Sequence, residues 1–348
     1  MNCPRLHIIP LIIASVLPLA GGTSCNKTDP EEPMPAQAIA FLDPDQRAPV
    51  TTRTISEFKV WAELDDWTPI MRDVTVRRTG LNSWRYSPAV DWPDRPVSFY
   101  AVSPASFTMQ DVYRAFTIYY KCTGATDMLV AVRKDVLQTD GRIKLNFCHT
   151  LARITASIAS PLKDTAVEVK RISIADVGEA GTFHVPDITT LPNQPPDNIS
   201  DCWEVWNMNA TDFALYDGGE SPITLSAYPY TPLDGNEYML PVRLTTLEYT
   251  GYIHGSAMRV TYRLIDKKSG EVIWPTSATP AHLRPAGDHS WGLANIPLKP
   301  ATPGGRWLAG REYHYNITIN GEPTFPPSTR TDASAPGGIA ITCTSTPY

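Results

Sequence analysis

The sequence has little charge: Asp, Glu, Lys and Arg make up 19% of its 348 residues, the net charge is -6, and Lys and Arg form no cluster. Phosphate backbones are bound through such clusters, which argues against a nucleic-acid partner. The sequence also lacks G-x-S-x-G, H-E-x-x-H, the Walker A loop and G-x-G-x-x-G. Without them the usual nucleophile, zinc and phosphate chemistries have no home, so neither an enzyme nor a cofactor is expected. Adjacent acids at Glu31-Glu32, Asp43-x-Asp45 and Asp65-Asp66 fall in expected turns, where they are solvated, and Asp43-x-Asp45 lacks the glycine and distal glutamate of a calcium loop. No C-x-x-C occurs, and His282 and His289 lack ligand spacing, so no metal site is expected. No long segment repeats apolar residues every 3.6 positions, which leaves little room for surface helices.

What is present begins with the first 25 residues. Arg5 supplies a positive start, Leu6 to Ala20 is apolar but broken by Pro10 and Pro18, and Gly21 to Ser24 lead into Cys25. A membrane-spanning helix needs about 20 apolar residues without breakers, so a cleaved signal fits better than a span. The small residue before Cys25 suits lipid attachment at that cysteine after removal of residues 1–24. Gly22, where a bacterial lipobox usually carries leucine, leaves ordinary secretion as the alternative. Residues 25–36 are acidic and Pro-rich and make a tether.

The remainder has 33 prolines in the whole chain and reads as mostly β. It exceeds the roughly 250–300 residues at which a single core stops growing, so two domains are expected, at 37–160 and 161–322. Ala38 to Leu42 is a short apolar strand, followed by a turn-rich loop with Arg47 and Arg53. Phe58, Val60, Ala62 and Leu64 alternate as in a half-buried strand, and Val97, Phe99 and Ala101 do the same. Asp127 to Val132 is continuously apolar, as in a strand covered on both faces. Val167 and Val169 change phase to Ile172 and Ile174 at Lys170-Arg171, the mark of a β-bulge. Asp187 to Asp201 is a long loop. Met258, Val260, Tyr262 and Leu264 give the cleanest alternation, nearly matched by Tyr313, Tyr315, Ile317 and Ile319. After a Pro-rich tail within 323–348, Ile339, Ile341 and Cys343 alternate again and would fill successive pockets along a groove.

Several of these pieces carry a resemblance. Trp84-x-Tyr86-x-Pro88 with Trp92-Pro93, Ser98-Phe99-Tyr100-Ala101-x-x-Pro104, Asp127-x-Leu129-Val130-Ala131, Leu145-x-Phe147-x-His149-x-Leu151-Ala152-Arg153-Ile154 and Gly310 to Ile319 follow one another as in the fimbrillins. These are the type V pilins and Mfa-like lipoproteins of Bacteroidetes, and the resemblance spans 38 to about 320. It implies an all-β chain of two transthyretin-like Greek-key β-sandwich domains in tandem, outer-membrane delivery through a lipid on Cys25, and assembly with other fimbrial subunits into a homo- or heteropolymer at the cell surface. It also implies a mechanism: cleavage by a trypsin-like protease after Arg53 or Arg47, loss of the strand carrying Ile39 and Phe41, and occupation of the vacated groove by Ile339, Ile341 and Cys343 of another subunit.

Each of these residues has a plainer reading. Both arginines would be solvated loop residues, and Ile339 to Cys343 would close its own domain. His149 would make a structural hydrogen bond. Cys122 and Cys148 would either pair or, with Cys202 and Cys343, be small buried hydrophobes. The alternative function is a monomeric surface glycan-binding lipoprotein, with Trp203, Trp206, Trp274, Trp291 and Trp307 as stacking residues, set against core or corner packing for most of them; a host protein or glycan stands as a candidate partner.

Overall fold

The computed structural model describes residues 37–43, 55–123, 125–186, 196–206, 212–228, 230–233, 235, 237–246, 248–249, 253–324 and 337–348. These residues are almost entirely β, as the alternation requires. The first large sheet runs in the order β10 (Cys148–His149), β8 (Leu129–Val136), β5 (Val97–Ser103), β2 (Glu57–Leu64), β3 (Pro69–Gly80), β4 (Ser83–Arg85). Beside it β1 (Phe41–Leu42) pairs in parallel with β9 (Ile143–Lys144). A four-stranded sheet follows the order β14 (Trp203–Trp206), β13 (Ala180–His184), β7 (Ala115–Lys121), β6 (Met109–Val112).

Two further sheets are built from strands after residue 151. One has the path β17 (Thr231–Pro232), β11 (Ala152–Ala159), β24 (Arg311–Thr324), β25 (Gly337–Pro347), with β18 (Glu237–Met239) also on β11. The other has β15 (Phe213–Asp217), β12 (Thr165–Ala175), β21 (Ala257–Asp266), β22 (Val272–Trp274), with β16 (Ile223–Thr224) on β12 and β23 (Gly292–Pro297) on β21. A small hairpin joins β19 (Glu248–Tyr249) and β20 (Ile253–His254).

Local patterns survive well. Phe58, Val60 and Ala62 are buried along β2, and Met258, Val260, Tyr262 and Leu264 along β21. The β12–β21 register shifts between Val169 and Arg171, where the bulge is expected. Two local expectations need revision. All seven residues of β5 are buried, where alternation was expected, because the hairpin β6–β7 covers its second face: Tyr100 meets Phe116 with ring centroids 4.5 Å apart. The end of the expected 187–201 loop is a short helix, α1 (Pro196–Ser200), pinned where Ala309 N donates to Ser200 Oγ at 2.9 Å.

Strand pairing crosses the boundary expected at residue 160. Strand β11 belongs to the sheet of β24 and β25, and the β6–β7 hairpin continues into β13–β14. Pro35–Tyr348 accordingly forms one compact unit. The main core unites one face of the first large sheet (Tyr100, Val102, Val130, Val132) with the later sheets (Ile154, Ile172, Tyr262, Tyr315). On the other face of that first sheet lies an aromatic compartment around Phe41, Phe58, Trp84, Tyr86, Phe99 and Phe147.

Candidate functional site

In the run Ala38-Ile39-Ala40-Phe41-Leu42, large and small residues alternate, so an extended backbone sends Ile39 and Phe41 to one side. Both are interior, 0% and 1% exposed. The backbone is bonded on both flanks. On one side Ile39 N donates to Val90 O (2.8 Å), Trp92 N donates to Gln37 O (3.1 Å), and Ala38 bridges Asp91 in antiparallel fashion. On the other, Ile143 N donates to Ala40 O (2.7 Å), and Phe41 and Leu42 lie opposite Ile143 and Lys144. The segment is thus the middle of three extended pieces whose outer two come from elsewhere in the chain. The Tyr86 hydroxyl closes the set by donating to Ile39 O at 2.8 Å, and burial pushes that phenol above its ordinary pKa. The Phe41 ring meets Phe58, Tyr86 and Phe99 edge-on at 5.5, 5.9 and 6.1 Å. Such edge contacts add about 0.5–1.5 kcal/mol each beyond area burial.

The segment ends in a clasp. The Asp43 carboxylate accepts from Trp84 Nε1 (2.9 Å), Asn82 N (3.1 Å) and Arg78 Nη2 (3.2 Å), and Asp43 N donates to Asn82 Oδ1 (3.3 Å). Arg142 Nη2 reaches Phe41 O (3.4 Å) and Asn82 O (3.1 Å). Burial alone would raise the Asp43 pKa, but the hydrogen bonds and the Arg78 charge together hold it below the usual carboxylate range. The next described residue, Ile55, is buried. Arg47 and Arg53, like Cys25, lie outside the described residues.

Strand β25 is an edge strand, antiparallel to β24, with Ile339 opposite Ile319, Ile341 opposite Ile317 and Cys343 opposite Tyr315. Ile339 is 5% exposed, whereas Ile341 and Cys343 are half-buried and Ala340, Thr342, Thr344 and Thr346 are exposed. The strand carries no charged side chain. Beneath it Tyr315 accepts from Trp307 Nε1 at 2.9 Å and shares a 2.5 Å hydrogen bond with Thr302 Oγ1. Burial pushes the Cys343 thiol up to about 12. The end of the strand is pinned where Tyr348 OH donates to Leu151 O (3.1 Å) and its ring lies 4.2 Å from that of His149. His149 Nδ1 is hydrogen-bonded to the Asp127 carboxylate, the structural role expected of it.

Other sequence candidates are not brought together. Of the five tryptophans proposed for stacking, four are interior. Trp203 donates to Thr150 O at 2.8 Å, Trp274 packs 4.6 Å from Tyr262, Trp291 lies beneath Arg263 and Lys170, and Trp307 is 0% exposed. This is the core or corner packing weighed against stacking for most of them. Only Trp206 among the five is exposed. Cys122, Cys148, Cys202 and Cys343 are free thiols, so the Cys122–Cys148 pair is not formed. Cys122 and Cys148 point at the Gly178 and Val130 carbonyls, and burial drives both pKa values up, that of Cys122 to about 12. Asp65 and Asp66 both pair with Arg95 on an exposed turn. The clasp around Asp43 was not anticipated, because its partners lie some forty to a hundred residues along the chain and only the fold collects them.

A family model described as Fimbrillin-like matches residues 63–331. Among solved structures, a candidate cell adhesion protein from Bacteroides uniformis ATCC 8492 aligns with a TM-score of 0.52 and 13% identity, over 89% of this chain and 98% of that one. The fimbrilin FimA from Porphyromonas gingivalis W83 aligns with a TM-score of 0.44 and 12% identity, over 89% and 96%. The tip fimbrial protein Mfa3 from Porphyromonas gingivalis, truncated at its C-terminus, gives 0.35 and 11%, over 84% and 94%. No curated protein matches the chain.

Proposed function

The chain belongs to the fimbrillin-like family, and from that premise we propose that it is a structural and adhesive fimbrial subunit assembled by strand replacement. In this reading it is exported as a lipoprotein, attached to the outer membrane through Cys25 and cut after Arg53 or Arg47. The observation that carries the proposal is the position of residues 37–42. A segment hydrogen-bonded on both flanks, with two large side chains in the core, leaves on departure a slot with free backbone partners at Val90 O and Ile143 N. Refilling that slot with two deeply buried side chains returns roughly 3–6 kcal/mol, at 1.5–3 kcal/mol each.

Strand β25 is the donor in this scheme. Ile339, Ile341 and Cys343 repeat the two-residue spacing of Ile39 and Phe41, and among the described residues the strand pairs with β24 alone, so a single ladder has to open for it to leave. Within its own subunit it closes the sheet on β24, a resting position from which it is transferred. The scheme keeps the two tandem sandwiches expected at 37–160 and 161–322, with strands exchanged between them across that boundary. N-terminal sequencing of protein released from the cell surface, read beside its ladder in sodium dodecyl sulfate gels, tests the proposal. A start at Thr54 or Ala48 with a resistant ladder is expected. A start at Cys25 in a protein that stays monomeric would refute it.

A further inference from the structure

The sheet β14-β13-β7-β6 has a buried and an open face. Phe116, Ile118, Tyr120, Phe183 and Trp203 point into the core. Alternation therefore sends Tyr119, Lys121, Thr182, His184, Glu204 and Trp206 to the other side. Two large aromatics stand on that open face, Tyr119 at 51% and Trp206 at 39% exposed. Their ring centroids are 5.5 Å apart and the planes are inclined by 37°. Ala180 shares the face, opposite Trp206 on one side and Lys121 on the other, yet it is 2% exposed.

We propose that Tyr119 and Trp206 form a stacking platform for a neutral saccharide, presented on the outer face of this sheet. Two adjacent rings match the C–H faces of one or two pyranose units. The surrounding groups supply both kinds of hydrogen-bonding partner for sugar hydroxyls: Thr182, His184 and Lys121 as donors, Glu204 and Thr182 as acceptors. Lys121 pairs with Glu179 at 3.0 Å and His184 Nε2 is hydrogen-bonded to Glu204 at 3.3 Å, so the face carries no cluster of one sign to select a charged ligand. A stable protein interface buries about 800 Å² on each partner around an apolar centre. Here the polar groups begin one side chain from the rings, which suits a sugar better. The strands that carry the two rings, β7 and β14, are both paired with β13, and Trp203 packs beneath the sheet against Phe183. The inference stands independently of strand replacement.

The test is native affinity electrophoresis of the full chain in gels each holding one neutral polysaccharide (an α-glucan, a mixed β-glucan, a galactomannan, an arabinoxylan), followed by titration with the matching oligosaccharide under tryptophan fluorescence. At least one gel is expected to retard the protein. Trp206→Ala and Tyr119→Ala should each weaken binding about three- to tenfold, the loss of one aromatic contact. Trp206→Phe should retain most of the affinity and guards against misfolding as the cause. Trp67→Ala, an exposed tryptophan on the Leu64–Thr68 turn, should bind as the parent does. The inference is overturned if no gel retards the parent chain, or if both alanine variants are retarded equally with it.

Discussion

Truncating Phe41 to alanine probes the slot most directly. The side chain is fully enclosed and meets three rings edge-on, and removal of a buried phenylalanine of this kind costs about 3–5 kcal/mol. The same truncation at Ile341 takes away a half-buried side chain on an edge strand, and about 1–2 kcal/mol is expected, less than the 2–5 kcal/mol of a fully buried isoleucine. Urea unfolding followed through tryptophan emission separates the two; Trp84, buried 5.2 Å from the Phe58 ring, reports on the compartment. The contrast has a second readout once the chain is cut between Asp43 and Ile55. Held only by non-covalent contacts, the Phe41→Ala segment should dissociate with a constant raised by roughly two to nearly four powers of ten. A Phe41→Ala cost below about 1 kcal/mol, or an Ile341→Ala cost above that of Phe41→Ala, would refute the packing argument.

Three further outcomes are expected. The Asp43 carboxyl is depressed in the folded state, so its contribution is complete above the unfolded value of 3.8 and is lost as pH falls through the lower folded value; a cut chain should release its segment faster in acid, and Asp43→Asn should release it faster at neutral pH, both measured by gel filtration. Burial holds the Cys343 thiol up at about 12, so iodoacetamide should label it slowly while β25 is docked on β24 or in a neighbour's groove and quickly in a chain whose β25 is undocked by Ile339→Asp; mass spectrometry of the C-terminal peptide decides, and equal rates in the parent and Ile339→Asp chains would refute the burial of Cys343 by docking. Gly292→Ala would place a methyl 1.9 Å from the Trp274 ring, and overpacking of that order costs about 1–3 kcal/mol, visible as a lowered melting temperature.

By itself the sequence determined what depends on neighbours two residues away. The all-β class, the inward rows of β2, β21 and β24, the phase change at Lys170-Arg171 and the paired large residues Ile39 and Phe41 all follow from the strand period of two, which is written locally. Tertiary structure decided what covers a second face and which strand lies alongside another. It buried all of β5 under a hairpin, turned Trp203, Trp274, Trp291 and Trp307 inward while leaving Trp206 beside Tyr119, gathered Arg78, Asn82, Trp84 and Arg142 around the end of one short segment, and laid β25 against β24. The physical reason is that backbone hydrogen bonding in a sheet is indifferent to side-chain identity. Pairing partners are therefore selected by how the whole chain closes its core.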